Sequence, residues 1–178
     1  MAIGFSSMPI PRSAILEIVL MIVEKCDPQP AVIAIVGNRE SNKVPKATEE
    51  KVEEFKRKGF ISEEKSVPYS HLFPLMDVII IHGGLGATAE ALRAGVPVIV
   101  TGVLLMDQRF WAKRVFEMGI GPEPIHISDF PALCVDVVSR ALTNQEWKDK
   151  AIALSKEMVG ETADGVTENV RQFTDFVQ

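Results

Sequence analysis

The chain has 178 residues, a length that suits one domain with a full hydrophobic core. Apolar residues make up 47% of it, too many for a disordered chain, and the formal net charge of −5 argues against a nucleic-acid partner, which would require a basic face. The two cysteines lie far apart in the sequence and form no CxxC motif, so we expect two free thiols and a cytoplasmic protein.

We expect neither a metal cofactor nor a membrane-spanning segment. The three histidines, His71, His82 and His126, lack the spacing of a metal-binding motif and have no cysteine beside them. The longest apolar run, residues 14–23, contains Glu17 and is shorter than the roughly 20 apolar residues that a bilayer requires. No basic segment precedes an apolar one at the N-terminus, so no signal peptide is predicted.

Short apolar runs alternate with longer segments of helical periodicity, a pattern typical of a parallel α/β sheet with helices on both faces. The pattern predicts strands at residues 2–5, 31–36, 66–67, 77–81 and 98–101. It predicts helices at residues 13–25, within 43–58, and at 84–93, 107–118, 131–142, 145–158 and 166–176. Asp107 is expected to cap the helix at 107–118, and Gly119 to end it. The sequence therefore predicts a doubly wound, Rossmann-like single domain over residues 1–178.

The strongest functional signal is a glycine-rich turn between a predicted buried strand and a predicted helix. Its glycines, Gly83, Gly84 and Gly86, leave the backbone uncovered by side chains. The first N–H groups of a helix have no partners within it and the helix dipole is positive there, so a phosphate can bind at this turn. His82, at the end of the strand, can donate to that phosphate. The alternative is a turn whose glycines serve only the close packing of helix against sheet.

Further polar residues follow other strands at the same edge of the predicted sheet. Glu90 lies one helical turn beyond the glycines, where it can accept from ribose hydroxyls or simply face solvent. Asp107 and Gln108 follow the next strand and offer acceptors and donors that suit sugar hydroxyls. Ser7 and its neighbour Ser6 follow the first strand, where they can reach a phosphate or form a local turn. The aromatic residues of the helix at 107–118 are interpreted as core rather than as a platform for a base: Phe110, Trp111 and Phe116.

One order of motifs runs through nearly the whole chain. It consists of GFSSMP at residues 4–9, Val67-Pro68, LFP at 72–74, His82-Gly83-Gly84 with Gly86 and Thr88, Asp107-Gln108 with Phe110-Trp111, GIGPEP at 119–124, and Asp164-Gly165-Val166. This order resembles the C-terminal domain of UDP-glucose:sterol glucosyltransferases and of their antibiotic and plant relatives. The resemblance implies the C-terminal half of a GT-B fold, in which two Rossmann-like domains enclose the substrates and the C-terminal one binds the UDP-sugar.

The resemblance assigns the diphosphate to the glycine turn. His82 and the backbone amides of Gly83, Gly84 and Gly86 would contact it. Hydroxyl groups would be added by two residues: Ser7 and Thr88.

The nucleoside and the sugar are assigned in the same way. Glu90 would hold the ribose, and the Val67–Pro68 segment would face the uracil. Asp107 and Gln108 would form hydrogen bonds with the sugar, which is expected to be glucose.

For the whole enzyme, the resemblance implies inverting transfer of glucose to a lipid-like, sterol acceptor without a metal or other cofactor. The catalytic base would belong to an N-terminal acceptor domain that this chain lacks, so we expect no catalytic residue here and no activity from the chain alone. That domain would act in cis or in trans, and any peripheral membrane association would occur through it. The abrupt start of the chain inside a predicted strand favours an excised piece.

Some residues depart from the pattern of these relatives. Ala87 stands where they carry Ser or Thr against the phosphate, and Leu85 replaces a small residue. The segment at 69–71, Tyr-Ser-His, stands where sterol enzymes show His-Asp-Trp. A domain that has lost donor binding and contacts a partner chain through its cleft face is therefore an open alternative.

Two other nucleotide-binding classes share part of the glycine pattern. The GxGxxA pattern from Gly84 matches dinucleotide-binding proteins, but the following strand ends in Thr101-Gly102 rather than in an acidic residue. A nucleotide phosphoribohydrolase similar to the cytokinin-activating enzymes would show PGGxGTxxE, where this chain has His82 and Ala87.

Overall fold

Parallel strands form the centre of the computed structural model, which describes residues 1–38, 43–159 and 165–177. The strands are β1 (Ala2–Gly4), β2 (Val32–Ile35), β3 (Ile61–Glu64), β4 (Ile79–Ile81), β5 (Val98–Gly102) and β6 (Ile125–His126). They lie in the order β3-β2-β1-β4-β5-β6, all parallel. This is the strand order of the Rossmann fold, in which the winding reverses between β1 and β4. The predicted doubly wound sheet is confirmed.

Helices cover both faces of this sheet. They are α1 (Arg12–Lys25), α2 (Lys46–Arg57), α3 (Tyr69–Leu72), α4 (Leu85–Ala94), α5 (Met106–Glu117), α6 (Phe130–Thr143), α7 (Gln145–Val159) and α8 (Gly165–Val177). On one face α1, α2 and α6 bury side chains such as Ile3 and Ile80, and on the other α4, α5 and α7 bury Ile79 and Val100. Because both faces are covered, the central strands are almost wholly apolar, and this made them visible in the sequence.

The third strand was predicted in the wrong place. The strand lies at Ile61–Glu64 and pairs with β2, whereas residues 66–67 form no strand. β3 is at the edge of the sheet, and only its first residue, Ile61, is buried. An edge strand with exposed polar positions carries no continuous apolar signal. The short β6 and α3 were also absent from the prediction.

The start of α5 also differs from the prediction. Leu105, not Asp107, is the N-cap residue, and its N–H donates to the Oε1 atom of Gln108 at 3.3 Å. Asp107 lies within the first turn, where its charge complements the helix dipole. Gly119 follows the helix with a φ of 67°, as predicted for a residue that ends it.

The aromatic side chains of α5 are less buried than expected of core residues. Phe110 is 56% exposed and Phe116 is 42% exposed, and Trp111 is partly buried with its ring edge-on to Phe110 at 5.0 Å. Ala112 and Val115 form the buried face of the helix instead. The interpretation of these aromatic residues as core is therefore wrong for Phe110 and Phe116.

Candidate functional site

A cleft opens at the carboxyl edge of the sheet, near the point where β1 and β4 lie side by side. Two adjoining cavities form it, with volumes of about 310 Å³ and 470 Å³. Ser6, Val67 and Tyr69 line both cavities, so the two lie side by side. In open α/β sheets this reversal point is where ligands bind, because the loops that leave the two central strands diverge there.

The two cavities have different walls. The smaller one, which we call the sheet chamber, lies over the ends of β2 and β3 and reaches Gly37 and Lys65. The larger one, which we call the helix chamber, lies at the N-terminus of α4 and reaches Gly86, Ala87 and Glu90. Together the two chambers border the edge of the sheet from the start of α4 to the end of β3.

Packing explains two of the three glycines in the turn that precedes and begins α4. Gly83 has a φ of 84°, and a Cβ there would come within 2.8 Å of Val100 and 3.0 Å of the carbonyl oxygen of Gln108. A Cβ on Gly84 would come within 2.6 Å of the Nε2 atom of His82. Gly83 requires glycine for its conformation, and a side chain on Gly84 would have to displace the buried ring of His82, whether or not a ligand binds.

Gly86 is different. It is exposed on the second position of α4 and lines the helix chamber, and no described heavy atom lies within 4 Å of a Cβ built on it. Glycine in a helix is less stable than alanine by about 0.5–1 kcal/mol, and nothing in the described surroundings requires that cost. The open space over this backbone suits the close approach of a ligand.

His82 and Thr88 are both buried within the turn. His82 is 6% exposed at the end of β4, with its ring against Gly84. Thr88 is 1% exposed, and its hydroxyl donates to the carbonyl oxygen of Gly84 at 3.0 Å. Each side chain therefore supports the shape of the turn, and His82 is part of the packing rather than a purely ligand-facing residue. Their predicted contacts with a phosphate stay predictions.

Ser6, rather than Ser7, lines the cleft. Ser7 is exposed beyond the described walls of the two chambers, whereas Ser6 has a φ of 45° and borders both. Val67 borders both chambers as well. Pro68 is exposed and precedes α3 as its N-cap residue. Glu90 lines the helix chamber with its carboxylate 2.7 Å from the guanidinium of Arg93.

Asp107 and Gln108 lie beside the glycine turn but outside the described walls of the two chambers. The backbone of Gln108 contacts Gly83, and its side chain accepts the N–H of Leu105. Asp107 is exposed. Their predicted role in holding a sugar requires the sugar to lie beyond the helix chamber, towards α5.

The sequence prediction missed the residues of the sheet chamber and the central position of Tyr69. Gly37, Lys65 and Ser66 follow β2 and β3, and the end of β3 was not predicted correctly. Tyr69 was noted only as a departure from sterol enzymes. Its position directly after Val67-Pro68, a segment already assigned to the base, was the signal that could have identified it.

Within residues 1–38, 43–159 and 165–177, no group of three or more His, Cys, Asp or Glu side chains is arranged to hold a metal ion. In the same ranges, no helix combines the length and the apolar content that crossing a bilayer requires.

The fold is shared with glycosyltransferases. The structure matches UDP-glucose:anthocyanidin 3-O-glucosyltransferase in complex with UDP with a TM-score of 0.75 and 15% identity, over 98% of this chain and 39% of that one. It matches the glycosyltransferase VinC in complex with DTDP with a TM-score of 0.67 and 21% identity, over 96% and 40% of the two chains. Identities this low establish the fold alone, which is that of one Rossmann-like half of a GT-B glycosyltransferase.

The sequence identifies the family. Residues 59–173 match the model described as erythromycin biosynthesis protein CIII-like, C-terminal domain, and the chain belongs to this family of glycosyltransferase domains. The chain is 28% identical over 172 residues to the sterol 3-beta-glucosyltransferase UGT80A2 of Arabidopsis thaliana. The aligned region covers 96% of this chain and 25% of that protein. The chain spans a quarter or less of the curated relatives it matches first. The predicted relationship to the C-terminal domain of sterol glucosyltransferases is confirmed.

Proposed function

We propose that the cleft binds the UDP-sugar donor of a glycosyltransferase whose C-terminal domain is this chain. The proposal depends mainly on Gly86, a glycine in the first turn of α4 that lines a cavity of about 470 Å³ and has open space where a side chain would lie. Two neighbours with the same fold were solved with the nucleoside diphosphates UDP and DTDP, which supports a ligand of this chemistry.

The diphosphate would lie at the N-terminus of α4. The first N–H groups of a helix have no partners within it, and a hydrogen bond from such a donor to a charged group contributes about 1.5–3 kcal/mol. The helix dipole adds roughly 0.3–1 kcal/mol. Ala87 also lines this chamber and carries no hydroxyl. Binding here therefore depends on backbone donors more than on side chains.

The nucleoside would extend from this point along the cleft. Glu90, one turn further along α4, would accept hydrogen bonds from the ribose hydroxyls, as its place in the helix chamber allows. The base would occupy the sheet chamber beside Val67, which borders both chambers. The sugar would then project from the diphosphate towards α5, where Asp107 and Gln108 lie.

The proposed reaction is inverting transfer of the sugar, glucose by the likeness to sterol glucosyltransferases, to a lipid-like acceptor. The acceptor pocket and the catalytic base would belong to a second domain, and this chain would contribute donor binding and orientation. No metal enters the proposed reaction, because the helix N-terminus supplies the positive potential that the diphosphate requires. The chain alone would bind the donor without transferring its sugar.

Calorimetric titration with UDP, UDP-glucose, NAD and AMP tests the proposal. We expect heat of binding with UDP and UDP-glucose and none with NAD or AMP. Circular dichroism of the same sample verifies that the chain is folded. A folded chain that binds no UDP at millimolar concentration would contradict the proposal and favour an interaction domain, and a chain that binds NAD instead would place it with dinucleotide-binding proteins.

A further inference from the structure

Tyr69 lies at the junction of the two chambers, and its position is fixed from one side. It is the first residue of α3 and is partly buried. Its ring stacks on that of Phe73, with 4.5 Å between the ring centroids and 13° between the planes. Phe73 is 1% exposed, so it is a rigid support. One face of the Tyr69 ring is therefore covered by the core.

The far end of the ring reaches over the central strands. A Cβ built on Gly4, the last residue of β1, would lie 3.3 Å from the hydroxyl oxygen of Tyr69. It would lie equally close to the Cδ1 atom of Ile35, which lines the sheet chamber. Tyr69 thus extends from α3 to the carboxyl ends of β1 and β2, across the floor of the cleft.

Tyr69 also borders the cleft. Tyr69 lines both the sheet chamber and the helix chamber, while Phe73 stacks on one face of the Tyr69 ring. A flat aromatic surface with a rigid support behind it is the arrangement that proteins use to stack nucleic-acid bases. The arrangement of the two chambers is consistent with this use, because Gly86 lines only the helix chamber and the sheet chamber remains for the base.

We propose that Tyr69 is the platform on which the base of the donor nucleotide stacks. This inference rests on the proposed function, because it assumes that a nucleoside diphosphate occupies the cleft. It assigns a specificity role to a residue at which this chain departs from sterol glucosyltransferases. The rival explanation is structural, in which Tyr69 only holds the segment at Val67 against β1.

The sequence contains one tyrosine, which permits a direct test. Uniform incorporation of meta-fluorotyrosine gives a single fluorine NMR signal from Tyr69. We expect UDP to shift this signal through the ring current of the stacked base, and inorganic pyrophosphate to leave it nearly unchanged. Calorimetry on the same sample separates the two proposals. If UDP does not bind, the proposed function fails, whereas UDP binding without a shift overturns only the role of Tyr69.

Substitutions provide a second test. Replacing Tyr69 by Phe keeps the aromatic surface, so UDP affinity should change by less than about threefold. Tyr69→Leu should weaken UDP binding by roughly 5- to 150-fold, the loss expected for one stacked base, and should leave pyrophosphate binding unchanged. His71→Ala, on the exposed side of the same short helix, is the matched control and should leave both affinities unchanged. Equal loss of UDP and pyrophosphate binding in Tyr69→Leu would show a structural role and overturn the inference.

Discussion

Replacing Gly86 by alanine should stabilise the chain and weaken its ligand binding at the same time. Gly86 lies on the second position of α4, and its added Cβ would meet no described heavy atom within 4 Å. Alanine restricts the unfolded chain and favours the helix, so the free energy of unfolding should rise by about 0.5–1 kcal/mol. For a chain of 178 residues this corresponds to an increase in Tm of about 1–4 °C.

The effect on binding has the opposite sign. The new methyl group of Gly86→Ala would occupy the space through which a phosphate reaches the N–H groups at the start of α4. Loss of one charged hydrogen bond costs about 1.5–3 kcal/mol, so the Kd for UDP should rise by roughly 10- to 150-fold. A residue that served only the fold would not show this combination of a higher Tm and a higher Kd.

Thermal unfolding and calorimetric titration of the same variant measure both effects. Gly59→Ala is a matched control, because a Cβ there also meets open space but the φ of 78° disfavours a side chain. It should destabilise the chain by about 1–2 kcal/mol without changing UDP affinity. If Gly86→Ala raises Tm and leaves the Kd unchanged, the open space is not used by a phosphate. A fall in Tm of the Gly86→Ala variant would show that the surroundings of Gly86 are not open.

Two further predictions concern the core. Gly121→Ala should lower the free energy of unfolding by about 3 kcal/mol or more, because the added Cβ would lie 1.9 Å from the carbonyl oxygen of Val98. Chemical denaturation measures this loss, and a loss below about 1 kcal/mol would contradict the close approach. Burial raises the pKa of the Cys134 thiol to about 11. The unfolded thiol ionises near pH 9 and the folded one does not, so its contribution should reduce stability as pH rises from about 9 to 11. Cys134→Ala should remove that component, and an unchanged pH profile would exclude it.

The sequence alone was sufficient to predict most of the sheet and the glycine turn at its carboxyl edge. Strands such as β4 and β5 are buried on both faces, so their apolar runs predict them without knowledge of their neighbours. The glycine turn after β4 was recognised because three glycines between a strand and a helix are a local signal. Likeness to sterol glucosyltransferases then supplied the class of protein, and the family match confirmed it.

The tertiary structure decided which residues border the cleft. The strand order sets the turn after β1 beside the turn after β4, and the backbone conformation at Ser6 determines that it, rather than Ser7, lines the cavities. The tertiary structure also distinguishes glycines that packing requires, such as Gly83, from Gly86, whose surroundings are open. Tyr69 acquires its position through contact with Phe73 and the end of β1. These properties arise from contacts between segments that are distant along the chain. Apart from the position of Tyr69 directly after Val67-Pro68, no local pattern of residues indicates them.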